Sequence, residues 1–119
     1  MGVENIFNGE SVIDPDTGAA AIAVGGVKII STSGKSGSAL VSIRPEDILV
    51  SREKIETSAR NSYRGEIIEI SDRGAIVKIV VEVGIPLVVV LTKRSFEDMM
   101  LKKGMSVYVT FKAAAVHVF

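Results

Sequence analysis

The run GEIIEISDRGAIVKIVVEVGIPLVVVLT, residues 65–92, leaves few options for the chain that contains it. It holds three apolar segments, with the turn formers SDRG and VGIP between them. In the middle segment Val77, Ile79, Val81 and Val83 point one way, while Ile76, Lys78, Val80 and Glu82 point the other. A period of two is that of a strand with one buried face, and short turns between such segments join antiparallel neighbours. The run therefore predicts an antiparallel meander, and its apolar face needs further β structure to cover it.

The flanking sequence supplies that structure. DPDTG at 14–18 is a turn, and Gly25-Gly26 separates AAAIAV from VKIIST as a tight hairpin, predicting strands at 20–24 and 27–32. A flexible link, STSGKSGS, leads to ALVSIRPEDILVS. There Pro45 and the acids beside it split one long strand into 39–43 and 48–51. After the meander, SFEDMMLKKG reads as one short helix. Ser95 and Asp98 stand at its start, Phe96, Met99 and Met100 form a face, Lys102 and Lys103 oppose the dipole, and Gly104 is the stop. The chain closes on MSVYVTFKAAAVHVF, as two strands or one strand bent at the alanines. The order predicts an all-β fold, an OB-like β-barrel with one short helix, preceded by an N-terminal β-hairpin extension. No repeat is evident along the chain, although each half is able to make a small β unit.

Composition narrows the function. The 119 residues suit one domain, or one domain with an appendage. With no cysteine, disulfides and thiolate metal sites are excluded. Fourteen basic residues balance fourteen acidic ones, so no global field attracts nucleic acid or an anionic membrane, and any anion site has to be local. No apolar run is long enough to span a bilayer, and the first residues lack a signal-peptide layout. The expectation is a cytoplasmic chain without direct membrane insertion. Four Phe, two Tyr and no Trp are too few for the stacking platforms of a single-strand nucleic-acid binder.

Enzyme motifs fail one by one. SGKSG contains the GKS of a phosphate-binding loop, but the required earlier glycine would fall at position 29, which is Ile, and no helix follows. His117 is the single histidine, so neither a zinc site of usual type nor a hydrolase triad can be assembled around it. Three clusters remain. TSARN precedes a strand. LTKRS places Thr92 and Ser95 at a helix start, where backbone N–H groups lack intrahelical partners. FKAAAV puts Lys112 in an otherwise apolar strand. Read singly, these are a surface charge at Arg60, a cap at Ser95 and a snorkelling Lys112. Read together, hydroxyls, free N–H groups and one ammonium are the parts of a cradle for a small tetrahedral oxyanion.

The stretch from TSARN through LTKRS and LKKG to FKAAAV resembles the Mop, or TOBE, family of molybdate-binding domains. The shared pattern is SARN-x-x-x-G, a Thr-x-x-Ser helix start, L-x-x-G and K-A-x-x-V, in that order, over roughly the last 63 residues. GVENIF and SIRPEDILVS upstream are similar to the C-terminal regulatory region of molybdate or tungstate ABC-importer ATPases. The resemblance implies an N-terminal β segment at 1–52 and an oxyanion-binding domain at 53–119. It implies a site made of Ser58, Ala59, Arg60, Asn61, Thr92, Ser95, Lys112 and Ala113, with Asn61 as the residue that also suits a turn-stabilising role. The implied ligand is molybdate or tungstate, held between subunits of a homodimer or higher homo-oligomer, with no cofactor and no metal site. The implied partners are the importer's ATPase and membrane subunits, at the inner face of the cell membrane. A free-standing storage protein is the alternative within the same chemistry, and an OB-like nucleic-acid binder the alternative outside it.

Overall fold

The computed structural model describes residues 5–119, so the first three residues of the GVENIF segment lie outside the described residues. The strands are β1 (Asn5–Ile13), β2 (Ala20–Val24), β3 (Val27–Ser31), β4 (Gly37–Ile43), β5 (Leu49–Ser51), β6 (Asn61–Asp72), β7 (Ile76–Glu82), β8 (Pro86–Thr92), β9 (Ser106–Phe111) and β10 (Val116–Val118). One helix, α1 (Lys93–Asp98), follows β8, and single 3-10 turns at Pro45–Asp47 and Ala113–Ala115 precede β5 and β10. The all-β expectation, the meander, the hairpin and the break at Pro45 are all present. Val77, Ile79 and Val81 form the buried face of β7, as their alternation requires.

Among the described residues the strands form two curled five-stranded sheets, ordered β10-β4-β1-β2-β3 and β5-β9-β6-β7-β8. Each sheet takes one short strand from the other half of the chain: β5 pairs with β9, and β10 pairs with β4. The Ser31 hydroxyl at the end of β3 donates to the Val116 carbonyl of β10 at 3.1 Å, which ties the first sheet's two ends together. The buried faces meet in one contiguous cluster that includes Ile22, Ile43, Ile79, Leu87 and Phe111. The expected hairpin, β2 with β3, is thus part of a larger unit, because β1 pairs with both β2 and β4.

The registers reveal an internal duplication. Asn5 stands opposite Ile43, and Asn61 opposite Phe111. Four residues after each asparagine comes a glycine followed by glutamate, Gly9-Glu10 and Gly65-Glu66. The same superposition puts Arg44-Pro45-Glu46-Asp47 over Lys112-Ala113-Ala114-Ala115, and Leu49 opposite Thr110 over His117 opposite Ser42. The two asparagines clamp opposite halves. Asn61 Oδ1 accepts from the Ile30 N–H at 2.8 Å and its Nδ2 donates to the Ile30 carbonyl at 2.9 Å. Asn5 does the same to Val88, at 2.7 and 2.8 Å. Ile30 and Val88 lie on β3 and β8, the edge strands of the two sheets. A primary amide presents a donor and an acceptor side by side, so it satisfies a residue of exposed edge as a neighbouring strand would.

Tyr63 completes the clamp in the second half. Its hydroxyl donates to the Lys28 carbonyl, with Asn61 Oδ1 at 2.9 Å as a second acceptor, and its ring packs on Phe111 with centroids 5.9 Å apart. Burial pushes the phenol up to about 12, because the ionised form loses its hydration. A neutral phenol is therefore favoured in the folded state. Its contribution to stability is fully present below pH 10 and is lost as pH rises toward 12. Stability measured by denaturant titration is expected to fall more steeply across that window in the native protein than in Tyr63→Phe. Equal slopes would contradict the assignment.

The helix differs from its sequence reading at both ends. Its N-cap is Thr92, not Ser95: Thr92 Oγ1 accepts from the Ser95 N–H at 3.1 Å, the spacing from cap to third helical residue. It stops at Met99, well before Gly104, since Met100 takes φ +51°. That left-handed residue turns the chain so that Leu101 can enter the core.

Candidate functional site

Lys112 stands just past the end of β9 and not within a strand as its sequence suggested, and the next three residues turn tightly, with the Ala115 N–H donating to the Lys112 carbonyl at 3.0 Å. Asn61, at the head of β6, pairs with Phe111, so the SARN segment and Lys112 emerge from adjacent strands at the same end of the sheet. Between them lies a hollow of about 340 Å³ lined by Asp47, Leu49, Thr57, Ala59, Thr110, Phe111, Lys112 and Ala115. Two clusters some fifty residues apart in sequence are brought together by one strand pair. No carboxylate pairs with the Lys112 ammonium among the described residues; Asp47 is paired instead with Arg44, Oδ2 to Nε at 3.6 Å.

The other expected residues divide. Ser58 and Arg60 are exposed on the segment that flanks the hollow, and Ala113 is half-buried in the turn after Lys112. Asn61 is 1% exposed and engages Ile30 through both ends of its amide, so it holds the SARN segment in place from beneath. Asp47 and Thr57 line the hollow without having been anticipated as site residues. Thr57 is the first residue of TSARN, which was a usable signal. Asp47 comes from the other half of the chain, and nothing local announces it.

Thr92 and Ser95 are elsewhere. Thr92 ends β8 and Ser95 lies on α1, and Thr92 pairs with Ile76 at the start of β7 beside the far end of β6. The twelve residues of β6 separate them from Lys112, on the order of 30 Å at a strand's rise per residue. Both hydroxyls are exposed and turned toward each other, Thr92 Oγ1 donating to Ser95 Oγ at 3.0 Å. The neighbouring cations are occupied. Lys93 is hydrogen-bonded to Asp72, and Arg94 Nε lies 3.8 Å from Asp98 Oδ2. The Lys93 contact holds the Asp72 carboxyl below the usual carboxylate range, helped by the Gly74 N–H, and lifts the Lys93 ammonium in turn. Within one chain, then, the expected residues fall into two groups at opposite ends of β6: an ammonium with a turn, and a capped helix start.

The model of the TOBE domain matches residues 57–118. Over 119 residues the chain is 34% identical to the molybdate/tungstate import ATP-binding protein WtpC of Pyrococcus abyssi, covering 99% of this chain and 35% of that protein. The corresponding protein of Pyrococcus horikoshii is 36% identical, with 100% and 33% covered. The chain thus spans about a third of the length of these relatives. Among solved structures, the cytoplasmic molybdate-binding protein ModG with molybdate bound superposes with a TM-score of 0.81 at 18% identity, over 99% of this chain and 96% of that one. At that identity the likeness concerns the fold.

Proposed function

As this chain belongs to the TOBE domain family, matched over residues 57–118, we propose that it binds molybdate or tungstate as the ligand-sensing module of an importer's ATPase subunit. The observation that carries the reading is the hollow where Lys112 and Ala59 meet, a local cation beside exposed hydroxyls in a chain of zero net charge. Whole-chain similarity to two import ATP-binding proteins supports the choice of ligand and of transporter. The role is binding, not catalysis.

Two copies are needed. Lys112, Ala113 and the 57–60 segment stand at one end of β6, Thr92 and Ser95 at the other, so a single anion meets both sets only where the hollow of one chain faces the helix start of a second. A dianion held this way stabilises the paired arrangement over the separated one, because separation forfeits half of its hydrogen bonds. That differential affinity is what a ligand needs in order to shift a transporter between states. Size separates the larger oxyanions from sulfate, since only they reach donors on both walls. No helix among the described residues is long and apolar enough to cross a membrane, so contact with the membrane subunits would run through the transporter.

Titration calorimetry with molybdate, tungstate, sulfate and phosphate is the direct test. Heat above buffer is expected for the first two, and its absence for both would defeat the reading. Lys112→Ala is expected to weaken binding about tenfold or more, the loss of one charge-assisted contact, while Lys103→Ala leaves it unchanged. Equal affinities in the two variants would remove Lys112 from the site. A free-standing storage protein is the alternative within the same chemistry. Light scattering separates the two, with a dimer expected for a sensing module and a closed higher oligomer for a storage protein.

A further inference from the structure

We propose that Asp47 is an affinity-setting residue of the oxyanion site, a carboxylate contributed by the first half of the chain to the hollow of the second. The inference rests on the oxyanion reading of that hollow and adds a residue outside the SARN, Thr-x-x-Ser and K-A-x-x-V positions.

Three observations carry it. First, Asp47 lines the same hollow as Thr57, Ala59 and Lys112, although it belongs to the turn between β4 and β5. The exchange of β5 into the second sheet brings it there: Leu49 pairs with Thr110, beside Phe111 and Lys112. Second, the duplication places Asp47 over Ala115, and both turns border this one hollow. One turn presents three alanines behind its lysine; the other presents Pro45, Glu46 and Asp47 behind its arginine. The departure from a neutral lining is thus a negative charge beside a site for a negative ligand. Third, that charge is restrained. The Asp47 N–H donates to the Arg44 carbonyl at 3.0 Å, and the carboxylate pairs with Arg44 at 3.6 Å, with a third of the side chain exposed.

A carboxylate lining the hollow that holds a dianion raises the free energy of the bound state, by an amount that water and salt reduce and that the Arg44 guanidinium offsets in part. Asp47 therefore lowers affinity, and Arg44 moderates how far. A sensor benefits from this, because a site that saturates only at a higher anion concentration reports plenty and not mere presence.

The test is a two-by-two set measured by titration calorimetry with sodium molybdate and sodium tungstate on the whole chain, at low and high salt. Asp47→Asn is expected to tighten binding about fivefold, with the gain shrinking at high salt. Arg44→Gln is expected to weaken binding in the native background and to have no effect when combined with Asp47→Asn, because its influence passes through the carboxylate. Asp47→Ala, which reproduces the residue of the other half, provides a second variant should the amide alter the turn, and is expected to tighten binding equally. Unchanged or weaker binding in both Asp47 variants, with native binding intact, overturns the proposal and leaves the oxyanion reading standing. Absence of binding in the native protein and in both Asp47 variants overturns the oxyanion reading and this inference with it.

Discussion

Asn61→Leu is expected to cost about 3 kcal/mol of stability and to lower the melting temperature by about 10 °C. Leucine has nearly the shape of asparagine, so packing changes little and the loss is one of polar pairing. Both bonds to Ile30 disappear at once, leaving an edge-strand N–H and carbonyl without partners in a half-buried place. Each unsatisfied group costs about 1–3 kcal/mol. The Tyr63 hydroxyl also loses one of its acceptors. Asn5→Leu removes the equivalent pair to Val88 and is expected to cost about as much, whereas Asn8→Leu, at an exposed position of β1, is expected to change stability by less than about 0.5 kcal/mol. Thermal and denaturant unfolding of the three variants decides the matter. An unchanged midpoint for Asn61→Leu would mean that the clamp contributes nothing.

The second large effect is expected at Gly65, where a side chain would have to occupy space already filled by backbone. A Cβ built there falls 2.5 Å from the Glu82 carbonyl oxygen and 2.5 Å from a Val83 methyl, closer than real contacts allow. The oxygen belongs to the β7 ladder and cannot retreat without breaking the pairing of Glu66 with Glu82. Gly65→Ala is therefore expected to destabilise by about 3 kcal/mol, near the upper end for overpacking. Gly9, whose added Cβ would lie 2.7 Å from the Ala23 oxygen, is its counterpart and is expected to behave alike. Gly34 is the control: nothing lies within 4 Å of its added Cβ, so Gly34→Ala is expected to be neutral or slightly stabilising. A tolerated Gly65→Ala would show that the two strands can part without cost.

These glycines and asparagines explain the fourth and eighth positions of SARN-x-x-x-G. Asn61 and Gly65 are architectural: one fastens the edge of the opposite sheet, the other lets β6 pass close to β7. The residues before Asn61 are then held beside the hollow, where Thr57 and Ala59 line it. Asn61 was expected among the site residues with a turn-stabilising role also open to it; it is buried, with both ends of its amide engaged by Ile30.

Periodicity made most strands legible. Val77, Ile79 and Val81 alternate with exposed neighbours, and a strand with one buried face leaves that trace in any context. Pro45 marked its own break, since proline lacks an N–H and constrains the residue before it. β1 was less legible because NIFNGESVI carries an asparagine and a glycine whose reasons lie elsewhere: Asn5 answers to Val88, and Gly9 to Ala23. The helix start was misplaced by three residues for a similar reason, as both Thr92 and Ser95 are good caps and only the geometry shows which hydroxyl receives which N–H.

The chain's own letters were enough to predict an all-β fold, a meander and one short helix, because those depend on residues near one another in sequence. The duplication, the exchange of β5 and β10, the distance between Lys112 and Thr92, and the arrival of Asp47 in the hollow depended on tertiary structure. They arise from pairings between residues tens of positions apart. A strand's pattern states which face is buried, but which partner buries it is settled only when the whole core closes.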